Sequence, residues 1–114
     1  MDVLNRAAVV LVPRAPYIEW ANSFEDDGPT IDVAKARDFA TTFLVPEPET
    51  LDDVTEVIRA ESAYMFECAL AGWMTDEESW PAQRDYSTLT RWFEIEVYEM
   101  LIDLANEPFI LEDL

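Results

Sequence analysis

The side chains available for chemistry in this sequence are carboxylates: 25 Asp and Glu stand against seven Lys and Arg, and there is no histidine. Without an imidazole there is no Ser-His-Asp or Cys-His nucleophile and no histidine metal ligand. The two glycines, Gly28 and Gly72, lie in unrelated contexts, so the chain has no glycine-rich phosphate loop and dinucleotide and P-loop sites are excluded. Hard cations take oxygen ligands, and Asp26-Asp27-Gly28-Pro29-Thr30-Ile31-Asp32 offers several. That stretch lacks the alternating acids and closing Glu of a calcium loop, so it reads as a solvated acidic turn, with no metal or other cofactor expected. Two carboxylates can serve as acid and base, which keeps a Mg- or Ca-assisted hydrolase or transferase as an alternative, but no pair stands out among 25 acids.

Three positions call for individual treatment. Glu67 falls in a helical stretch with no polar face, and a buried carboxylate needs a partner. Arg6 or Arg84 is the expected one, giving a structural, buried ion pair rather than a catalytic acid. Cys68 lies in the same apolar stretch, where a thiolate is poorly stabilised, so it reads as a packing residue. Of the four indoles, Trp20, Trp73 and Trp92 read as core. Trp80 lies in the least regular segment, near Asp76 and Arg84, and is the expected surface anchor for a partner.

A formal net charge of -18 keeps a protein soluble and favours cationic partners, without determining the fold. Direct binding to nucleic acid needs clustered Lys and Arg and is not expected; an anionic membrane surface is disfavoured for the same reason. The run of residues 7–12 is too short for a membrane span or a signal-peptide core. One cysteine cannot form an internal disulfide, which fits a reducing, cytoplasmic compartment. With 114 residues, half of them hydrophobic, a single folded domain over residues 1–114 is expected.

The elements that must position these side chains follow from pattern. Ala7-Ala8-Val9-Val10-Leu11-Val12, stopped by Pro13, reads as a buried strand. Pro16 opens a short helix with Tyr17, Ile18, Trp20, Ala21 and Phe24 on its apolar side. Residues 25–29 read as an acidic turn, and residues 39–45 have strand composition ending at Pro46. Thr50 and Asp53 form a capping-box pattern opening one long helix, which Gly72 is placed to end in a left-handed cap. After Ser62 that helix is apolar nearly all round and should be buried on several sides. Thr75 and Glu78 suggest a second capping box for a turn that Pro81 stops at Trp80. Residues 86–104 fit both a helix and a strand; β-branched Ile95, Val97 and Ile102 favour a short helix over residues 86–92 and then a long strand.

Several short motifs occur together: Asn5-Arg6-Ala7-Ala8, Pro13-Arg14-Ala15-Pro16 with Trp20, Leu44-Val45-Pro46-Glu47, Glu67, Leu70, Gly72-Trp73, Thr75-Asp76-Glu77, Trp80-Pro81, Arg84 and Trp92-Phe93. In these the chain resembles a family of small, acidic bacterial proteins of uncharacterised function. The resemblance implies a bacterial single-domain protein and a strand after Trp92, and it carries no activity. Tyr98 departs from the family pattern, which often has histidine there, so no imidazole chemistry is carried over.

The combined expectation is an α+β domain: a small mixed sheet of three or four strands with helices on one face, the alternative being a mostly helical domain. Its expected role is a non-catalytic protein-interaction domain that meets a basic or amphipathic protein through an acidic surface and exposed aromatics. A nucleic-acid mimic that occupies a DNA-binding protein is a narrower version, and a homodimer through an edge strand is compatible with either.

Overall fold

The alanine and valine run before Pro13 forms β1 (Arg6–Pro13) in the computed structural model, which describes residues 3–24, 30–105 and 107–112. Ala7, Val9 and Leu11 enter the core, while Ala8 and Val12 are buried on the reverse face. A strand buried on both sides belongs at the centre of a sheet. β1 pairs antiparallel with β2 (Thr41–Pro46), from Arg6 opposite Pro46 to Leu11 opposite Thr41. It pairs antiparallel with β3 (Phe93–Tyr98) from Ala8 opposite Tyr98 to Pro13 opposite Phe93. The strand order is β2-β1-β3, so β2 and β3 are both edges.

Four helices supply the layer over the Ala7, Val9 and Leu11 face. In α1 (Ala15–Asn22), Pro16 occupies the first turn, where a missing N–H is no loss, and Tyr17, Ile18 and Ala21 point inward. The Asn22 amide closes on Ile31 through both its oxygen (2.8 Å) and its nitrogen (3.0 Å), fixing the return of the chain towards a 3₁₀ segment, Val33–Phe39. α2 (Leu51–Ala60) opens on the capping box of Thr50 and Asp53. α3 (Ser62–Ala71) contributes Met65, Phe66, Ala69 and Leu70 to the core. After a 3₁₀ turn at Glu77–Ser79, α4 (Tyr86–Trp92) is capped by Asp85 and passes into β3 with no intervening loop. Beyond β3, Val3 and Ile102 form an isolated bridge. No helix among the described residues is long and apolar enough to cross a membrane.

The α+β architecture with a small sheet is as the sequence predicts; among the described residues the sheet has three strands and is antiparallel throughout, not mixed. The helix-then-strand reading of residues 86–104 holds, but the strand is shorter than expected: β3 ends at Tyr98, and Ile102 makes only an isolated bridge with Val3. Several local expectations are corrected. The helix predicted from Thr50 to Gly72 is two helices, parted at Glu61 (φ -104°, ψ 11°). The Ser62 hydroxyl donates to the Ile58 carbonyl (2.7 Å) and lies 3.2 Å from that of Arg59, and such back-bonding bends helices. Gly72 is right-handed (φ -63°), so α3 ends without the left-handed cap. Asp76, not Thr75, caps the turn before Trp80, its carboxylate accepting the Glu78 N–H at 3.1 Å. Phe39 closes the 3₁₀ segment instead of opening β2. The acidic turn at residues 25–29 lies outside the described residues; Asp32 caps the 3₁₀ segment by accepting the Ala34 N–H.

Candidate functional site

The site residues suggested by sequence meet in a local, self-satisfied arrangement. Trp80 is half-buried against the core and its indole N–H donates to the Met74 carbonyl at 2.8 Å. Arg84 lies over that ring at 5.9 Å, donates to the Pro81 carbonyl and pairs with Glu67 at 3.3 Å. The Glu67–Arg84 pair is not buried: the two side chains are 37% and 29% exposed, because α3 presents Glu67 at the rim of the core. Arg6 takes no part in it; its guanidinium donates to the neighbouring Asn5 carbonyl on the surface. Asp76 is occupied as a cap. The polar ends of Trp80, Arg84 and Asp76 therefore all have partners inside the chain, and their geometry holds the segment between α3 and α4.

The other indoles do similar work. Trp20 Nε1 donates to the Ser79 carbonyl (2.8 Å) and Trp73 Nε1 to that of Ala21 (2.9 Å), tying α1 to the α3–α4 connection. Tyr17 is buried among Trp20, Trp92 and Phe93, with its hydroxyl on the Ala69 carbonyl, and burial pushes its pKa up to about 12. Asp85 is drawn down to about 2 by hydrogen bonds from Gln83 and Thr88. Glu96 is also lowered, by Arg37 first and by the Tyr98 hydroxyl second. A general acid working near neutral pH needs the opposite shift. Among the described residues, no three acidic or thiol side chains gather so as to hold a metal ion.

The surface feature with binding capacity lies elsewhere, beside β2. A cavity of about 350 Å³ is lined by Phe43, Leu44, Val45 and Pro46 of β2, and by Val57, Glu61, Tyr64 and Met65 from α2, α3 and their junction. No β1 residue lines it. It lies between the edge strand β2 and the α2–α3 junction. The bend at Glu61 sets the course of both walls, since it reorients α3 after α2. Leu44 and Tyr64 are 55% and 63% exposed at its margin, and Met65 forms its floor. Glu61 is the one ionised side chain among the described residues that line it, and Glu47 and Glu49 follow β2 directly. A second hollow of about 240 Å³, between Phe39 and Trp73, contains Tyr17 and Asp38; the Tyr17 hydroxyl there is already bound to Ala69.

Sequence reasoning passed over Leu44, Glu61 and Tyr64. The apolar half of α3 implies burial on several sides, and nothing in the pattern separates exposed Tyr64 from buried Met65 and Phe66. The one available signal is that β2, Thr-Thr-Phe-Leu-Val-Pro, carries no charge in a chain where more than a quarter of the residues do. Comparison with protein-family models, curated proteins and solved structures finds no match to this chain.

Proposed function

We propose that this chain is a non-catalytic, cytoplasmic protein-interaction domain of a bacterial cell that docks a basic or amphipathic protein against its β2 side. The observation that carries the reading is the apolar cavity at the uncharged β2 edge, framed by exposed Leu44 and Tyr64 in a chain of net charge -18. Apolar walls give a partner surface to bury, and the surrounding carboxylates steer a cationic partner and reject acidic ones. The cavity's polar side chains are one carboxylate and one phenol, both on the exposed rim, which suits recognition better than acid–base chemistry. The cytoplasmic placement rests on the lone cysteine.

The test is capture from a native lysate at salt concentrations of about 50 and 500 mM, which span strong and weak charge screening. The bait is the wild-type chain or the Leu44→Ala/Tyr64→Ala variant. Both side chains are exposed, so the variant is expected to keep the wild-type circular dichroism. A basic partner should be retained by the wild type at low salt, and reduced several-fold both by high salt and by the double substitution. Capture indifferent to both changes would overturn the reading.

A further inference from the structure

The exposed edge of β2 bears on how a partner would dock, and this inference rests on the docking role just proposed. Along an antiparallel edge, every second residue directs its N–H and C=O away from the neighbouring strand. β1 occupies one side of β2, and among the described residues no backbone group bonds to the other. Natural edges are guarded by charge, by proline or by a covering element. β2 has Pro46 at its end only, and its six residues carry no charge. The element that would cover its flank, the α2–α3 junction, instead leaves the cavity open.

We infer that β2 accepts an extended segment of a basic partner as a fourth strand, with an apolar side chain of that segment seated in the cavity between β2 and the α2–α3 junction. Side chains alternate along a strand, so one set of the added strand would face Val57, Tyr64 and Met65, while the other would lie on the reverse of the sheet beside Leu44. In such strand addition the main-chain bonds supply affinity and the pockets supply selectivity. Charge complementarity selects the occupant: Glu61 lines the cavity, Glu47 and Glu49 continue from the strand, and a segment with Lys or Arg between its apolar residues matches them. A second copy of this chain would bring another -18 to the same edge.

The probe is a fluorescent, N-acetylated heptapeptide alternating lysine with valine, with phenylalanine at its centre. Two further versions carry N-methyl groups on the lysines only, or on the apolar residues only; both keep the side chains and the charge. A strand offers alternate N–H groups to opposite sides. One methylated version should therefore lose affinity by about tenfold or more while the other retains it, and the parent peptide should slow amide exchange over residues 41–45. Leu44→Lys, which adds a charge to the exposed edge, should weaken binding to a similar degree without unfolding the chain. Equal binding by both methylated peptides, or protection on residues 93–98 instead, would overturn strand addition. So would protection of residues 41–45 in the protein alone that grows with its concentration, which would place a second copy there. If no peptide binds while a lysate partner is still captured through Leu44 and Tyr64, the strand mechanism fails and the docking face stands. If the peptides bind as expected while no lysate partner is captured, the docking role fails and the edge chemistry stands.

Discussion

The two edges of the sheet pair with β1 over six residues each, yet they are built to opposite ends. β3 is pinned at its start and braced on its reverse face. Phe93 is 1% exposed and packs on Tyr17 and Phe66 at centroid distances of 5.2 and 5.5 Å. On the reverse face Glu94 and Glu96 point outward, and Glu96 is held by Arg37 from the 3₁₀ segment and by the Tyr98 hydroxyl. Across β1, half-buried Phe43 of β2 lies opposite half-buried Val97 of β3, exposed Leu44 opposite exposed Tyr98, and Thr42 opposite Glu96; β2 has no counterpart of the Glu96–Arg37 pair and has a cavity along its flank. Backbone pairing is thus the same on either side of β1, and the two edges differ in their side chains. A chain with acids to place almost everywhere has none on this strand, and that contrast is the physical basis of the docking proposal.

The largest expected effect tests how tightly each edge is pinned. Phe93→Ala deletes a fully buried ring and should cost about 3–5 kcal/mol, a large part of the stability of a small domain. Phe43→Ala removes a half-buried ring already facing a cavity and should cost roughly 1–2 kcal/mol. Urea denaturation of both variants checks this, with Phe93→Leu replacing the alanine variant if that fails to fold. Equal losses would mean β2 is anchored as firmly as β3, and the contrast would break.

A smaller effect is expected from making the edges alike. Glu94→Thr/Glu96→Thr gives β3 an uncharged strand resembling β2 while leaving the Phe93 side of the sheet untouched. If the contacts of Glu96 with Arg37 and Tyr98 are what close β3, their loss should let the lysine-valine heptapeptide protect residues 93–98 as well as 41–45 in amide exchange, even though the variant strand attracts lysine less. Continued protection of β2 alone would assign the closure of β3 to its packing against α4, with which it is contiguous.

Much of this fold is legible in the sequence because local signals agree with the tertiary solution. Pro13 and Pro46 end strands, Thr50 and Asp53 make their capping box, and the alternation of Phe93, Ile95 and Val97 wins over the helical reading because each odd position lands on the core face. The break at Glu61 is not legible, since it depends on a hydroxyl turning back to two carbonyls in a run that is otherwise good helix. The fate of the indoles is half legible: their need for acceptors is clear, but the acceptors lie up to 59 residues away, as Ser79 does from Trp20. The candidate site was hidden for a related reason. The cavity is lined jointly by β2, α2, α3 and the junction between the helices, and no single residue encodes it.

The smallest expected effect is a difference in acid sensitivity between the edges. Arg37, then Tyr98, hold the Glu96 carboxylate below the ordinary glutamate value of 4.5. A carboxylate whose folded value is depressed stabilises fully above its unfolded value, and that contribution is lost as pH falls through the folded one. β2 carries no titratable side chain. Acidification also relieves repulsion among the many carboxylates, but that effect acts on the whole domain, so the ratio of protection between residues 93–98 and 41–45 isolates the Glu96 contribution. Corrected for intrinsic exchange rates, that ratio should decline in the wild type between pH 5 and 3, bracketing the ordinary value, and stay flat in Glu96→Gln. A decline of equal slope in both proteins would show that the Arg37–Glu96 pair does not hold this edge, leaving Phe93 and the contiguous α4 to account for its closure.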